Sequence, residues 1–205
     1  IGTDYAQDYI ARFGFDSKKH PPYLSMALGV GEVTAMEMAT AYSVFANGGY
    51  LKKPYFIEKI IDTKGRKVKL SAELMNAEVP RIIDPRNAFI MTDMLKEVIN
   101  SGTAKRAKKL KRSDIAGKTG TTNNLIDAWF AGYNPDIVTV TWMGYPQPKP
   151  LGKKETGSRA ALPIWIDYME SILNDYPIKM LVEPEGILPL KVKKHEGTLA
   201  TQDDD

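Results

Sequence analysis

Apolar residues follow two different rhythms along the chain. In the first half and near the end they recur three and four apart, as on one face of a helix. Between residues 115 and 144 they come in short runs bounded by turn residues, as in strands. In "TDYAQDYIARFGF", Tyr5, Tyr9, Ile10 and Phe13 share a face, with Thr3 placed to cap the helix and Gly14 to stop it. In "LGVGEVTAMEMATAYSVFANGG", the residues Ala35, Met38, Ala39, Tyr42, Phe45 and Ala46 repeat at helical spacing and read as core packing. Thr34 and Glu37 form a capping box at its start, and Asn47-Gly48-Gly49 supplies a left-handed stop. Asp84-Pro85 opens a further helix through Ala88, Met91, Leu95, Val98 and Ile99, ending at Ser101-Gly102. A closing helix is expected in "LPIWIDYMESIL", with Ile164, Ile166, Asp167, Tyr168 and Ile172 in its pattern.

"YFIEKIIDTKGRKVKL" alternates about a turn at Asp62-Thr63-Lys64-Gly65 and reads as a surface hairpin. Strands are expected at residues 115–122, 128–133 and 137–144, the last two joined by Asn134-Pro135-Asp136. Helices, then a group of antiparallel strands, then a helix predict an α+β fold, an antiparallel sheet with helices packed on it. Residues 1–175 read as one unit, and residues 176–205, rich in proline and lysine and ending in Asp203-Asp204-Asp205, as a linker or tail.

Composition removes whole classes of chemistry. The 205 residues are 43% hydrophobic and 26% charged, enough for a real core. A formal charge of +3 makes no case for nucleic acid. With no cysteine there are no disulfides, thiol nucleophiles or cysteine metal sites. The two histidines, His20 and His195, lie far apart and read as surface-loop residues, so neither a histidine triad nor a metal site is expected. Six basic residues between Lys105 and Arg112 lack interleaved aromatics and read as a solvated helix face. No run approaches the roughly 20 apolar residues of a membrane span. The chain opens without Met, already inside an amphipathic pattern, and reads as a fragment whose beginning lies elsewhere.

The candidate chemistry lies in "DIAGKTGTTNNLIDAWFAGYNPD". Gly117-Lys118-Thr119 could end a phosphate-binding loop, but that loop needs a glycine where Arg112 stands and a helix directly afterwards. Thr121-Thr122-Asn123-Asn124 and two strands follow instead, so both requirements fail. The other reading makes Lys118-Thr119-Gly120 a strand bordering an acyl-transfer cleft. A lysine there offers positive charge to an anionic substrate terminus, and a glycine lets an extended backbone pair with the strand. Threonine hydroxyls can hold a carboxylate, and a backbone N–H can form half of an oxyanion hole. Alternation places Lys118 and Gly120 on one face and Thr119 and Thr121 on the other, so all four can serve one ligand only at an edge or a local twist.

With its flanks, this stretch carries more than a tripeptide. "GKTGTTNNLIDAWFAGYNPD", "ALGVGEVTAMEMATAYSVFANGGY" and "LPIWIDYM", in that combination, resemble the transpeptidase domain of class A penicillin-binding proteins, the 1A type most nearly. The resemblance extends to about Gly197. It implies a penicillin-binding, β-lactamase-like fold in a bifunctional parent that also carries a peptidoglycan glycosyltransferase. It further implies D,D-transpeptidase activity on D-Ala-D-Ala stem peptides, acylation by β-lactams, no cofactor, and a place at the periplasmic side of the inner membrane. Membrane attachment would come only through a segment outside this chain.

Three motifs make the family's site: S-x-x-K with the nucleophilic serine, S-x-N, and K-T-G-[TS]. Only the last is present, at Lys118, Thr119, Gly120 and Thr121. No serine has lysine three places on or asparagine two places on. The resemblance places both missing motifs upstream, in an N-terminal part of the same protein, and makes this chain the C-terminal part of the domain. It implies that Lys118 tunes electrostatics and meets the serine of S-x-N. Thr119 and Thr121 would hold the carboxylate, and the Thr121 N–H would complete the oxyanion hole. Asp127, Trp129, Tyr133 and Trp142 are expected to support the hairpin. An inactive binding or assembly module, and a stand-alone D,D-carboxypeptidase or β-lactamase, stand as alternatives.

Overall fold

The structure, a computed structural model, describes residues 1–68, 79–193 and 197–199. His195 and the terminal aspartates lie outside the described residues, as do Lys69 and Leu70 at the end of the expected hairpin. Helix α1 (Thr3–Ala11) sets Tyr9 against the cluster of α2 (Ala35–Ala46), and α2, α3 (Pro85–Asn100) and α4 (Leu162–Ile172) pack on a three-stranded sheet. The sheet comprises β3 (Ala116–Thr121), β4 (Ala128–Tyr133) and β5 (Val138–Met143), antiparallel in the order β3-β4-β5. A separate exposed hairpin pairs β1 (Ile60–Ile61) with β2 (Lys67–Val68). The expected α+β architecture is present, with helices on both faces of the sheet.

Local chemistry sets most boundaries. Thr34 Oγ1 accepts from the Glu37 N–H at 3.1 Å while Glu37 reaches back to the Thr34 N–H at 2.7 Å, closing both arms of the capping box. Asp84 caps α3 by accepting from the Arg86 N–H, with Pro85 in the first turn. Helix α1 differs from expectation: Gly2 is its cap residue, Thr3 lies inside the helix, and no side chain caps it. Asn134 closes the β4–β5 turn, its side-chain oxygen accepting from the Ile137 N–H at 2.8 Å.

Two layers of core clamp the sheet. On one face Tyr133 and Ala116 pack with Ala46 of α2 and Leu95 of α3. On the other, Phe130 meets Trp165 edge to face, ring centroids 4.9 Å apart, among Leu162, Ile166 and Met169 of α4. That buried face corrects the expected one. Ile164 and Tyr168 are exposed, because the stripe runs through Leu162, Trp165, Ile166 and Met169 at spacings of three and four.

His20 is also not a surface residue. It is buried against Phe15 beneath Gly31, where an added Cβ would lie 2.1 Å from its Nδ1. The basic run is mixed rather than uniformly solvated. Lys109 pairs with Glu170 in the open, but the Arg112 side chain is only 10% exposed.

Candidate active site

Among the described residues β3 is an edge strand, paired only with β4. Its register sets Lys118 opposite Ala131, Thr119 opposite Phe130 and Thr121 opposite Ala128. The Thr122 N–H donates to the Asp127 carbonyl at 3.1 Å. In an antiparallel ladder that parity turns the backbone groups of residues 118 and 120 inward to β4 and those of Thr119 and Thr121 out to the free edge. The edge therefore offers N–H and C=O groups at the two threonines of the motif.

Glycines allow the close approaches that hold this edge. A Cβ on Gly117 would lie 2.8 Å from the Ala131 carbonyl oxygen and the Phe130 ring. A Cβ on Gly157 would lie 2.4 Å from the carbonyl oxygens of both Gly120 and Trp129. Gly157 therefore presses onto the strand pair, and its N–H donates to Thr121 Oγ1 at 3.0 Å. That bond orients the Thr121 hydroxyl and leaves its own proton free to donate.

The expected split between the two faces resolves at the edge. The exposed Lys118 side chain folds back so that Nζ donates to the outward Thr119 carbonyl at 2.9 Å. Thr119 Oγ1 lies 2.8 Å from Thr103 Oγ1. Lys118 and the backbone groups of both threonines thus converge on one line, with a glycine between the threonines.

The surrounding groups hold the hairpin. Asp127 accepts from the Trp142 indole N–H at 2.9 Å, and Trp129 lies over Trp142 with ring centroids 6.0 Å apart. Tyr133 is buried, its hydroxyl 2.8 Å from that of Thr92. Burial pushes the Tyr42 phenol up to about 12 and raises that of Tyr133 too, so both are neutral fixtures of the core.

Just before β3, all five guanidinium N–H groups of Arg112 are used. Two go to Asp114 at 2.9 and 2.6 Å, and three to the carbonyls of Leu173, Tyr176 and Pro177. Asp114 also accepts from the Lys179 N–H at 3.1 Å. Burial alone would raise the Asp114 carboxyl, but the Arg112 hydrogen bonds and charge, with the Lys179 N–H, outweigh it and hold the group below its ordinary value of 3.8.

Sequence reasoning missed Thr103 and Gly157. The only signals were a Gly-Thr after a helix and a glycine before the closing helix, and neither points to β3 without the fold. Among the described residues, no group of three or more His, Asp or Glu is placed to hold a metal, and no helix is long and apolar enough to cross a membrane.

The model of the penicillin-binding protein transpeptidase domain matches residues 1–170. The chain belongs to the penicillin-binding protein transpeptidase family. Penicillin-binding protein 1A of Neisseria lactamica is 49% identical over 189 residues, covering 92% of this chain and 24% of that protein. Penicillin-binding protein 1A of Pseudomonas aeruginosa is 40% identical, covering 98% of this chain and 30% of that protein. The crystal structure of penicillin-binding protein 1A from Haemophilus influenzae superimposes with a TM-score of 0.90 at 33% identity, covering all of this chain and 36% of that one. The chain therefore spans about a quarter of the length of such curated relatives, and its fold is that of the penicillin-binding transpeptidases.

Proposed function

We propose that this chain supplies the substrate-binding wall of a serine D,D-transpeptidase that cross-links peptidoglycan stem peptides at the periplasmic side of the inner membrane. The observation that carries the reading is the free edge of β3, where the outward backbone of Thr119 and Thr121 lies beside the Lys118 ammonium. A peptide ending in D-Ala-D-Ala pairs with this edge as an added strand. Gly120 admits its backbone, and the Thr119 and Thr121 hydroxyls hold its terminal carboxylate.

A serine outside these residues attacks the penultimate carbonyl. The Thr121 N–H stabilises the oxyanion together with the N–H of that serine, D-Ala leaves, and an amine takes the acyl group. Lys118 supplies the positive charge and meets the serine of S-x-N. β-Lactams enter the same step as acylating agents. Residues 1–175 form part of the transpeptidase unit, and residues 176–205 are its tail, tied back at Lys179 and Met180. The complete parent also carries a glycosyltransferase.

A labelled penicillin tests these roles on the complete protein. Lys118→Ala and Thr121→Ala should each lower the acylation rate, by roughly 100-fold or more for a lost transition-state contact. Labelling at the full rate in both variants would sink the assignments. An inactive assembly module would take no label even as wild type.

A further inference from the structure

The two threonine hydroxyls of the motif are held by different kinds of partner. Thr121 Oγ1 accepts from the Gly157 N–H at 3.0 Å. A backbone N–H only donates, so this bond leaves the Thr121 proton for a ligand in every case. Thr119 Oγ1 instead lies 2.8 Å from Thr103 Oγ1, and either hydroxyl can donate to the other. The direction of the Thr119 proton is therefore open until something at one end of the pair decides it.

Both ends favour one direction. A carboxylate only accepts, so a carboxylate at Thr119 takes the Thr119 proton and obliges Thr103 to donate. At the far end, Thr103 lines a cavity of about 560 Å³ with the cations Lys105, Arg106 and Arg159, and with Glu155 as the one carboxylate. None of the three cations forms an ion pair among the described residues. Their positive potential draws the Thr103 lone pairs toward the cavity and turns its proton to Thr119. Thr103, Thr119 and the carboxylate then form a chain of aligned donors in which each bond strengthens the next.

The backbone fixes where Thr103 stands. Just past the end of α3, the Gly102 N–H donates to the Glu97 carbonyl at 3.1 Å and the Ala104 N–H to the Val98 carbonyl at 3.0 Å. A Cβ on Gly102 would lie 2.9 Å from the Val98 carbonyl oxygen, so the turn needs glycine. Ala104 and Ala107 are fully buried and anchor the segment in the core. Thr103 thus stands on a rigid support, and its hydroxyl selects the rotamer of Thr119.

We propose that Thr103 is a positioning residue for the terminal carboxylate of the acyl donor: it donates to Thr119 and so fixes that hydroxyl as a donor to the carboxylate. The proposal rests on the reading of Thr119 as part of the carboxylate site. Thr103 itself does not touch the ligand.

The test uses the complete enzyme with penicillin and with penicillin methyl ester, which lacks the negative charge. The second-order rate constant of acylation is measured for each. Thr103→Val keeps the side-chain shape and removes the hydroxyl. It should slow the free acid roughly fivefold, as for one lost hydrogen bond, and the ester by less than about twofold. Thr103→Ser should bring the acid back to within about twofold of wild type. In a Thr119→Val background, Thr103→Val should cost nothing further, because it acts only through Thr119. Thr103 is exposed, and Thr103→Ala is read by the same acid-to-ester ratio where Thr103→Val does not fold.

Equal slowing of acid and ester, no rescue by serine, or additive losses in the double variant would each overturn the proposal and leave Thr103 a support of the fold. If Thr119→Val slows the acid and Thr103→Val does not, the positioning role alone falls. If Thr119→Val leaves the acid at the full rate, the carboxylate reading of Thr119 falls, and the proposal with it.

Discussion

The root and the rim of strand β3 belong to one six-residue element, yet they are built on opposite principles. At the root, Ala116 and Gly117 are buried, and the preceding Asp114 is held by Arg112, Asn134 and Lys179. At the rim, Lys118 and Thr121 are exposed, and the outward backbone of Thr119 and Thr121 has no strand beside it among the described residues. The root spends the Asp114 carboxylate on the protein, while the rim leaves the outward backbone of Thr121 without a strand partner among the described residues. Groups fixed in advance need little reorganisation when charge develops beside them, so a rigid root is what makes an open rim useful.

The largest test of this division is Asp114→Ala. It leaves the Arg112 guanidinium nearly buried without its counter-charge, a loss of about 3–5 kcal/mol. The urea midpoint of the complete protein should drop, while penicillin acylation per folded molecule stays unchanged. A slower rate in the folded fraction would break the division. Acid reads the same contact. Because the folded Asp114 pKa lies below its ordinary value, its contribution is complete above about pH 4 and disappears as pH falls through the lower folded value. The difference in urea midpoint between wild type and Asp114→Asn should then be constant from neutral pH to about 4 and narrow below it. Narrowing near neutrality would contradict this.

Gly157→Ala should affect both ends. Its Cβ would press on two carbonyl oxygens, costing about 1–3 kcal/mol or more, and would displace the N–H that orients Thr121. Stability and acylation rate should fall together, and a loss of stability with an unchanged rate would remove Gly157 from the rim. The smallest effect is expected from Lys109→Ala. Its pair with Glu170 is more than half exposed on the lysine side, so the midpoint should not move measurably. A clear drop would show that the surface contact between the basic segment and α4 matters to the root.

How far the sequence spoke depended on how far apart the partners were. Thr34 with Glu37 and Asp84 with Pro85 are signals within one helical turn, and both formed as expected. The turn at Asn134 is likewise self-contained. Lys118 to Thr121 were legible as candidates because their pattern is contiguous. What made them an edge was not, since the edge depends on which strand lies beside β3. Thr103 acts on Thr119 from 16 residues away and Gly157 on Thr121 from 36, and no periodicity encodes such distances. Arg112 was grouped with its basic neighbours because its carbonyl partners lie 61 to 65 residues downstream. On α4, several apolar residues lie outside the buried stripe, so composition blurred the face that packing selects.

The Arg112 contacts also impose an order in time. The guanidinium meets its last carbonyl at Pro177, 65 residues after its own position. During synthesis β3 and its hairpin emerge well before that carbonyl exists, so the root forms with donors still turned to water. Only when the segment after α4 leaves the ribosome can the loop close. A ribosome-bound chain whose emerged part stops before Tyr176 should be cut by protease near residue 112, and one whose emerged part runs past Lys179 should resist. In a chain without cysteine, this late closure fastens the loop without oxidant, and it can be complete once the last partner has emerged.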